Sequence, residues 1–213
     1  MLIKRYRFLC LLVCVICGVF SMLHHSGVAA ENDLEKLSRE SARIKTLKAD
    51  FVQKKSMKIL TRPLISEGRF YFAAPDALRW EYFKPLKSVV IAYQGNTRRY
   101  IYADGKMAED KSGGVQAMKI VLSEVAGWMT GRFDRNPSFK AVVSRKDNTV
   151  IALTPVDEKM KSMIQKIEIA LAQKAGVIQS VKIFEGADSY TQINFNNVKI
   201  NETIDSSVFR NVQ

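Results

Sequence analysis

The sequence predicts an α+β, strand-rich fold: one strongly curved antiparallel sheet with helices lying against it. Three observations carry that expectation. Gly68 to Tyr102 holds four short aromatic or β-branched runs separated by Pro and Gly punctuation. A second block of strand-like runs fills residues 139–198. Between them lies one helical stripe, Met118, Val121, Leu122, Val125 and Met129, at i, i+3, i+4, i+7 and i+11.

The first thirty residues read as an export signal. Lys4, Arg5 and Arg7 form a charged start, Phe8 to Phe20 is an apolar run of 13, and Val28-Ala29-Ala30 offers small residues for cleavage. The run is short for a bilayer span. Leu9, Val13 and Ile16, which precede Cys10, Cys14 and Cys17, are too bulky for lipid attachment. Cleavage is expected near Ala30, with an uncleaved anchor as the alternative, leaving 31–213 as a single domain, since no Pro/Ser/Gly-rich linker or fixed-period repeat interrupts it.

That cleavage narrows the chemistry. All three Cys and both His (His24 and His25) precede Ala30, so residues 31–213 hold neither. A disulfide framework, thiol catalysis, a Ser-His-Asp triad and the commonest zinc ligands are excluded together. The net charge of +12 falls to +9 once Lys4, Arg5 and Arg7 are removed. Such a balance suits an anionic partner or a solvated outer sheet face; export argues against nucleic acid.

In chain order, Glu31 to Thr46 has helical spacing through Leu34, Leu37, Ala42 and Ile44. Leu47, Ala49 and Phe51 then alternate with polar neighbours as a strand, and 54–63 reads as a hairpin connection. Phe70 to Phe72, Leu78 to Phe83, Val89 to Ile91 and Tyr100 to Tyr102 are the four runs of the meander. Pro75, Asp76, Pro85 and Gly95-Asn96 supply the turns between them. Lys106 to Val115 is charged and reads as a break, and Gly131 stops the helix that follows. Strands are expected at Phe139–Arg145, Thr149–Pro155, Ile164–Leu171, Val177–Glu185 and Tyr190–Val198, with turns at Asp147-Asn148 and Lys174-Ala175-Gly176. Alternation such as Ile167, Ile169 and Leu171 against Lys166, Glu168 and Ala170 implies one covered and one wet face.

Carboxylates such as Glu67, Asp104 and Asp110 sit in no recognisable acid–base frame and read as surface charge. Asp104-Gly105 lacks the acidic ligands that would follow in a calcium loop, and Gly113-Gly114 lacks the Lys-Ser/Thr of a phosphate loop. No enzyme activity, cofactor or metal is expected.

The run Ala49–Lys54 (ADFVQK), then Gly68-x-Phe-x-Phe, Pro75-x-x-Leu-Arg-Trp80, Pro85 and VVIAYQGN up to Asn96, resembles the outer-membrane lipoprotein carrier protein (LolA) family. The specific match covers about Leu47 to Tyr102. The resemblance implies an incomplete β-barrel, a half-pipe of about eleven antiparallel strands with a helical lid over a hydrophobic cavity. It implies a monomeric periplasmic carrier that holds lipoprotein acyl chains and shuttles them from the inner to the outer membrane. Its partners would be an inner-membrane ABC lipoprotein exporter and an outer-membrane lipoprotein acceptor. Free fatty-acyl or glycolipid cargo, or lipid sensing that regulates an anti-sigma factor, are the alternatives. Carried over residue by residue, cavity positions fall on Leu78 and Trp80, with strand parity adding Phe70 and Phe72. Phe51 and Ile91 correspond to apolar wall positions, and Met118, Leu122, Val125 and Met129 to the lid. The family's lid-tethering Arg corresponds to Ala74, which puts a closed-lid latch in question. Arg79 is expected to point opposite to Trp80, outward.

Overall fold

Alternation is what builds this molecule. Wherever every second side chain is large and apolar, the chain extends and pairs with its sequence neighbour, so that one row of side chains is buried together. The structure is a computed structural model that describes residues 26–110, 123–134, 136–173, 176–186 and 188–212.

Helix α1 (Ser26–Ser41) leads into β1 (Thr46–Ser56), β2 (Leu64–Ala73), β3 (Ala77–Lys84), β4 (Ser88–Tyr93), β5 (Asn96–Ala103) and β6 (Lys106–Glu109). Residues 123–129 are helical and are called α2. Then follow β7 (Phe139–Arg145), β8 (Thr149–Pro155), the short helix α3 (Glu158–Lys161), β9 (Lys166–Leu171), β10 (Ile178–Gly186), β11 (Ser189–Ile200) and a 3-10 turn at Ser206–Phe209. The strands form one sheet in the order β6-β5-β4-β3-β2-β1-β11-β10-β9-β8-β7. Every pair is antiparallel and β6 does not meet β7, so the sheet is an open half-pipe of eleven strands. Two consecutive meanders are stitched together by the long β1–β11 pairing, which runs from Leu47↔Ile200 to Ser56↔Tyr190.

Two expectations change here. The first helix ends at Ser41, short of Thr46, because Ile44 already donates to the Ser41 carbonyl in a turn and Thr46 is paired with Ala73. The expected break at 106–115 begins with a strand. Asp104 and Gly105 take positive φ (51° and 79°) and fold Lys106–Glu109 back onto β5. Four residues, two of them charged, are too few to carry a periodic signal, so this edge strand follows from its turn.

The inner face holds the main core. It draws Leu47, Phe51, Phe70, Phe72, Leu78 and Trp80 from β1–β3, Ile151, Ile167, Ile169 and Phe195 from the second meander, and Leu37 from α1. Helix α1 packs on β7, where Arg145 pairs with Asp33 at 3.1 Å, and Ser41 Oγ donates to the Gly176 carbonyl at 3.0 Å. A smaller outer cluster, Ala77, Val89, Ile91 and Phe209, lies on the other side of β3 and β4 beneath the 3-10 turn. No helix among the described residues is long and apolar enough to cross a membrane.

Candidate functional site

The inner wall is assembled by register. Phe70 pairs with Trp80 and Phe72 with Leu78 across β2 and β3, so all four side chains share one face. Phe51 on β1 stands opposite Gly68, and a Cβ on Gly68 would lie 2.6 Å from the Phe51 ring and 2.0 Å from the Glu81 carbonyl oxygen. The Gly of the Gly68-x-Phe-x-Phe run is therefore the seat of the Phe51 ring. The rings meet edge-on: Phe51 to Trp80 at 5.4 Å, Phe70 to Trp80 at 5.3 Å and Phe51 to Tyr82 at 5.2 Å. Phe195 on β11 joins at 5.7 Å from Phe70. Such edge-to-face contacts are favourable and tolerant of sliding, unlike hydrogen bonds with fixed directions.

The wall is covered. Phe70, Phe72 and Leu78 are fully buried, and Val125, Ala126, Trp128 and Met129 of α2 are buried in the same cluster. Gly131, at φ 76°, ends that segment against α1; a Cβ there would lie 2.2 Å from the Ser38 carbonyl oxygen. This approach fixes where the covering segment turns away, and only glycine fits it.

Polarity on this face is sparse. The Tyr82 hydroxyl donates to Gln53 Oε1 at 2.9 Å, and burial pushes its pKa up to about 12, so it stays neutral. The Trp80 indole is close enough to temper that shift, yet Trp80 Nε1 itself makes no hydrogen bond although it is buried. A buried N–H without an acceptor costs roughly 1–3 kcal/mol. It is an unfilled donor in an otherwise apolar wall.

Of the expected site residues, Phe51, Phe70, Phe72, Leu78, Trp80, Val125 and Met129 come together in this cluster. Met118 and Leu122 lie outside the described residues. Ile91 is a correction. Across β3 and β4 it pairs with Arg79, whereas Trp80 pairs with Val90, so Ile91 faces outward beneath Phe209. Val90 is the inner-wall residue of β4. Sequence reasoning also passed over Phe195, which the alternation Thr191, Ile193, Phe195 makes available, and Phe133 just after the covering segment.

Arg79 does point opposite to Trp80, but it is buried rather than solvated, at 7% exposure. Its guanidinium grips Glu81 through two bonds of 3.1 Å and donates to the carbonyls of Val208 (3.2 Å) and Asn211 (2.8 Å). The C-terminal turn is thereby clamped to the outer face. Beyond it, Asp50 sits below the usual carboxylate range because Asn197 and Arg69 donate to it. Among the described residues no group of three His, Cys, Asp or Glu converges to hold a metal ion.

Comparison with known proteins places this arrangement. Residues 42–212 match the family model described as outer membrane lipoprotein carrier protein LolA. An outer-membrane lipoprotein carrier protein of Dechloromonas aromatica (strain RCB) is 21% identical over 194 residues, covering 91% of this chain and 87% of the relative. An uncharacterized conserved protein from Thermus thermophilus superposes with a TM-score of 0.52 at 7% identity, over 86% of this chain and 94% of that one. A LolA superfamily protein from Nitrosomonas europaea gives a TM-score of 0.42 at 9% identity, over 84% and 96%. With its family match spanning nearly everything from the end of α1 to the C-terminal turn, the chain belongs to the outer membrane lipoprotein carrier protein LolA family.

Proposed function

We propose that this protein is a periplasmic carrier that holds the acyl chains of lipoproteins against its inner wall and shuttles them from the inner to the outer membrane. The observation that carries the reading is the continuous apolar face of Phe51, Phe70, Phe72, Leu78 and Trp80 beneath a short covering segment that is itself apolar. Family membership supports lipoprotein as the cargo. In this role Val125 and Met129 occupy the wall when cargo is absent and are displaced by it. Cargo would arrive from an inner-membrane ABC exporter and leave for an outer-membrane acceptor.

Energetics favour such a wall. Three acyl chains of about 15 methylenes cost, at ~0.8 kcal/mol each, on the order of 35 kcal/mol to expose to water. Non-covalent binding saturates near ~20 kcal/mol, and a shuttle must also release. Sliding ring contacts and one spare N–H, suited to an ester or amide carbonyl at the acyl attachment, hold without locking. The work needs neither catalysis nor a metal.

Native mass spectrometry of protein purified from the exporting cell tests this directly. The expected spectrum shows an acylated protein bound non-covalently. Free fatty acid or glycolipid as the only bound mass would replace the cargo, and an empty protein under all gentle conditions would remove the carrier reading.

A further inference from the structure

One end of the half-pipe differs from the rest of the surface. The β1–β2, β3–β4 and β5–β6 connections all emerge there, since Lys55 pairs with Leu64, Tyr82 with Ser88 and Ala103 with Lys106. Of the exposed large hydrophobic side chains among the described residues, all but Val52 and Val142 lie at this end. Ile59 and Leu86, at loop tips, are 86% and 74% exposed, and Leu64, Ile65 and Phe83 stand just behind them. Cations are threaded through them. Residues 54–67, 83–87 and 102–106 contain seven Lys or Arg against two Asp or Glu; the neighbouring 184–189 turn adds Glu185 and Asp188, and the 156–165 connection, which brings Val156 and Met163 to this end, is balanced, with Lys159 and Lys161 against Asp157 and Glu158. Lys55 and Lys84 are paired with Glu185 and Glu67. Lys58 and Arg62 on the 57–63 loop, Lys87 over the Tyr102 ring at 5.3 Å, and Lys106 are exposed at this end. Lys87, Lys106, Phe83 and Tyr102 also line a cavity of about 640 Å³ on the outer side of the same turns.

We propose that this end docks on an anionic membrane surface, with Ile59 and Leu86 entering the headgroup–acyl boundary and the Lys/Arg set meeting lipid phosphates. Projecting apolar tips ringed by long cations are the chemistry of interfacial binding: the tips gain by leaving water, and the cations keep their heads at the phosphates. The cavity between Lys87 and Lys106 is placed to admit one such headgroup. A protein partner would instead be served by a continuous groove, and these two tips project separately from two different turns. This assignment is independent of what the inner wall carries.

Sedimentation with sucrose-loaded vesicles tests it, using phosphatidylcholine with about one third phosphatidylglycerol against phosphatidylcholine alone. The full chain is expected to bind the anionic vesicles at least about tenfold more tightly. Ile59→Asp with Leu86→Asp, and separately Lys58→Glu with Arg62→Glu, should each weaken that binding about tenfold or more. The N-terminal apolar run is common to all forms, so the differences isolate the loop end. These side chains are exposed, and circular dichroism together with retained cargo mass in the variants separates this surface from folding and from the carrier function. Equal binding to both vesicle types, no vesicle binding, or unchanged binding by both variants would each overturn the proposal; saturable binding of a protein in place of vesicles would do the same.

Discussion

The two faces of β3 show opposite designs within one residue of each other. Trp80 looks inward onto the Phe51 and Phe70 rings, with centroids 5.3–5.4 Å away, and its buried indole N–H meets no acceptor in hydrogen-bond geometry. Arg79 looks outward and commits its guanidinium to Glu81 and two backbone carbonyls of the C-terminal turn. Directed, charge-assisted bonds fix geometry and are costly to break, while ring edges slide at little cost. The outer face is therefore fastened for good. The inner one carries no such fastening, which is what the proposed carrier role requires of a face that exchanges its cargo.

The largest effect should come from unfastening the outer face. Arg79→Ala leaves Glu81 and two carbonyls without their donor, and loss of about 3–5 kcal/mol is expected in urea unfolding. Limited proteolysis should then cut within 204–212 faster than in the wild type. A loss well under 1 kcal/mol would mean the clamp is incidental.

Next is a pH effect on the inner face. Tyr82 has its pKa raised to about 12 against an ordinary 10.0, so its contribution is fully present below pH 10 and disappears as pH rises towards 12. That difference corresponds to about 3 kcal/mol. Tyr82→Phe should flatten that part of the alkaline stability profile relative to wild type, as read by thermal melts across the range. Identical profiles would show that the hydroxyl is not sequestered.

Placing a directed donor on the exchange face tests the comparison from the other side. Ala74 continues the inner row of Phe70 and Phe72 and packs against the main core. If Ala74→Arg forms bonds to covering-segment carbonyls, these contribute roughly 1.5–3 kcal/mol to the closed state. Hydrogen exchange over 123–129 should slow by up to about two orders of magnitude, with slower cargo release. Unchanged exchange would show that Val125, Trp128 and Met129 already hold the segment.

The smallest effect concerns the spare donor. Trp80→Phe keeps a ring and removes the unpartnered N–H, so stability should change by no more than about 1 kcal/mol. Retention of ester- or amide-linked acyl cargo should fall several-fold all the same. A large destabilisation with unchanged retention would make Trp80 a packing residue only.

Much of this was legible in the chain. Strand alternation located ten of the eleven strands, since Phe139–Arg145 and Thr149–Pro155 begin and end where the pattern does. Parity put Phe70, Phe72, Leu78 and Trp80 together because a two-residue period leaves no freedom within a hairpin. Ile91 was misplaced because parity within one strand does not set register with the next: Val89, Val90 and Ile91 are all apolar, and only the pairing with Arg79 shows which face each takes. Arg79 reads as solvent-facing in any strand pattern. Its burial depends on a turn more than a hundred residues later, a contact that local reasoning cannot reach. The lysines and apolar tips at the loop end were visible as composition, but only the topology gathers them.

Site-specific photocross-linking compares the two faces most directly. p-Benzoylphenylalanine is placed at Trp80 on the inner wall and, separately, at Tyr93, which packs on Phe209 outside at 6.1 Å. Both forms are purified with cargo and irradiated. An acylated adduct at Trp80 and none at Tyr93 is the predicted result; adducts at Tyr93 alone, or at both positions equally, would contradict the assignment of the inner wall as the face that exchanges lipid.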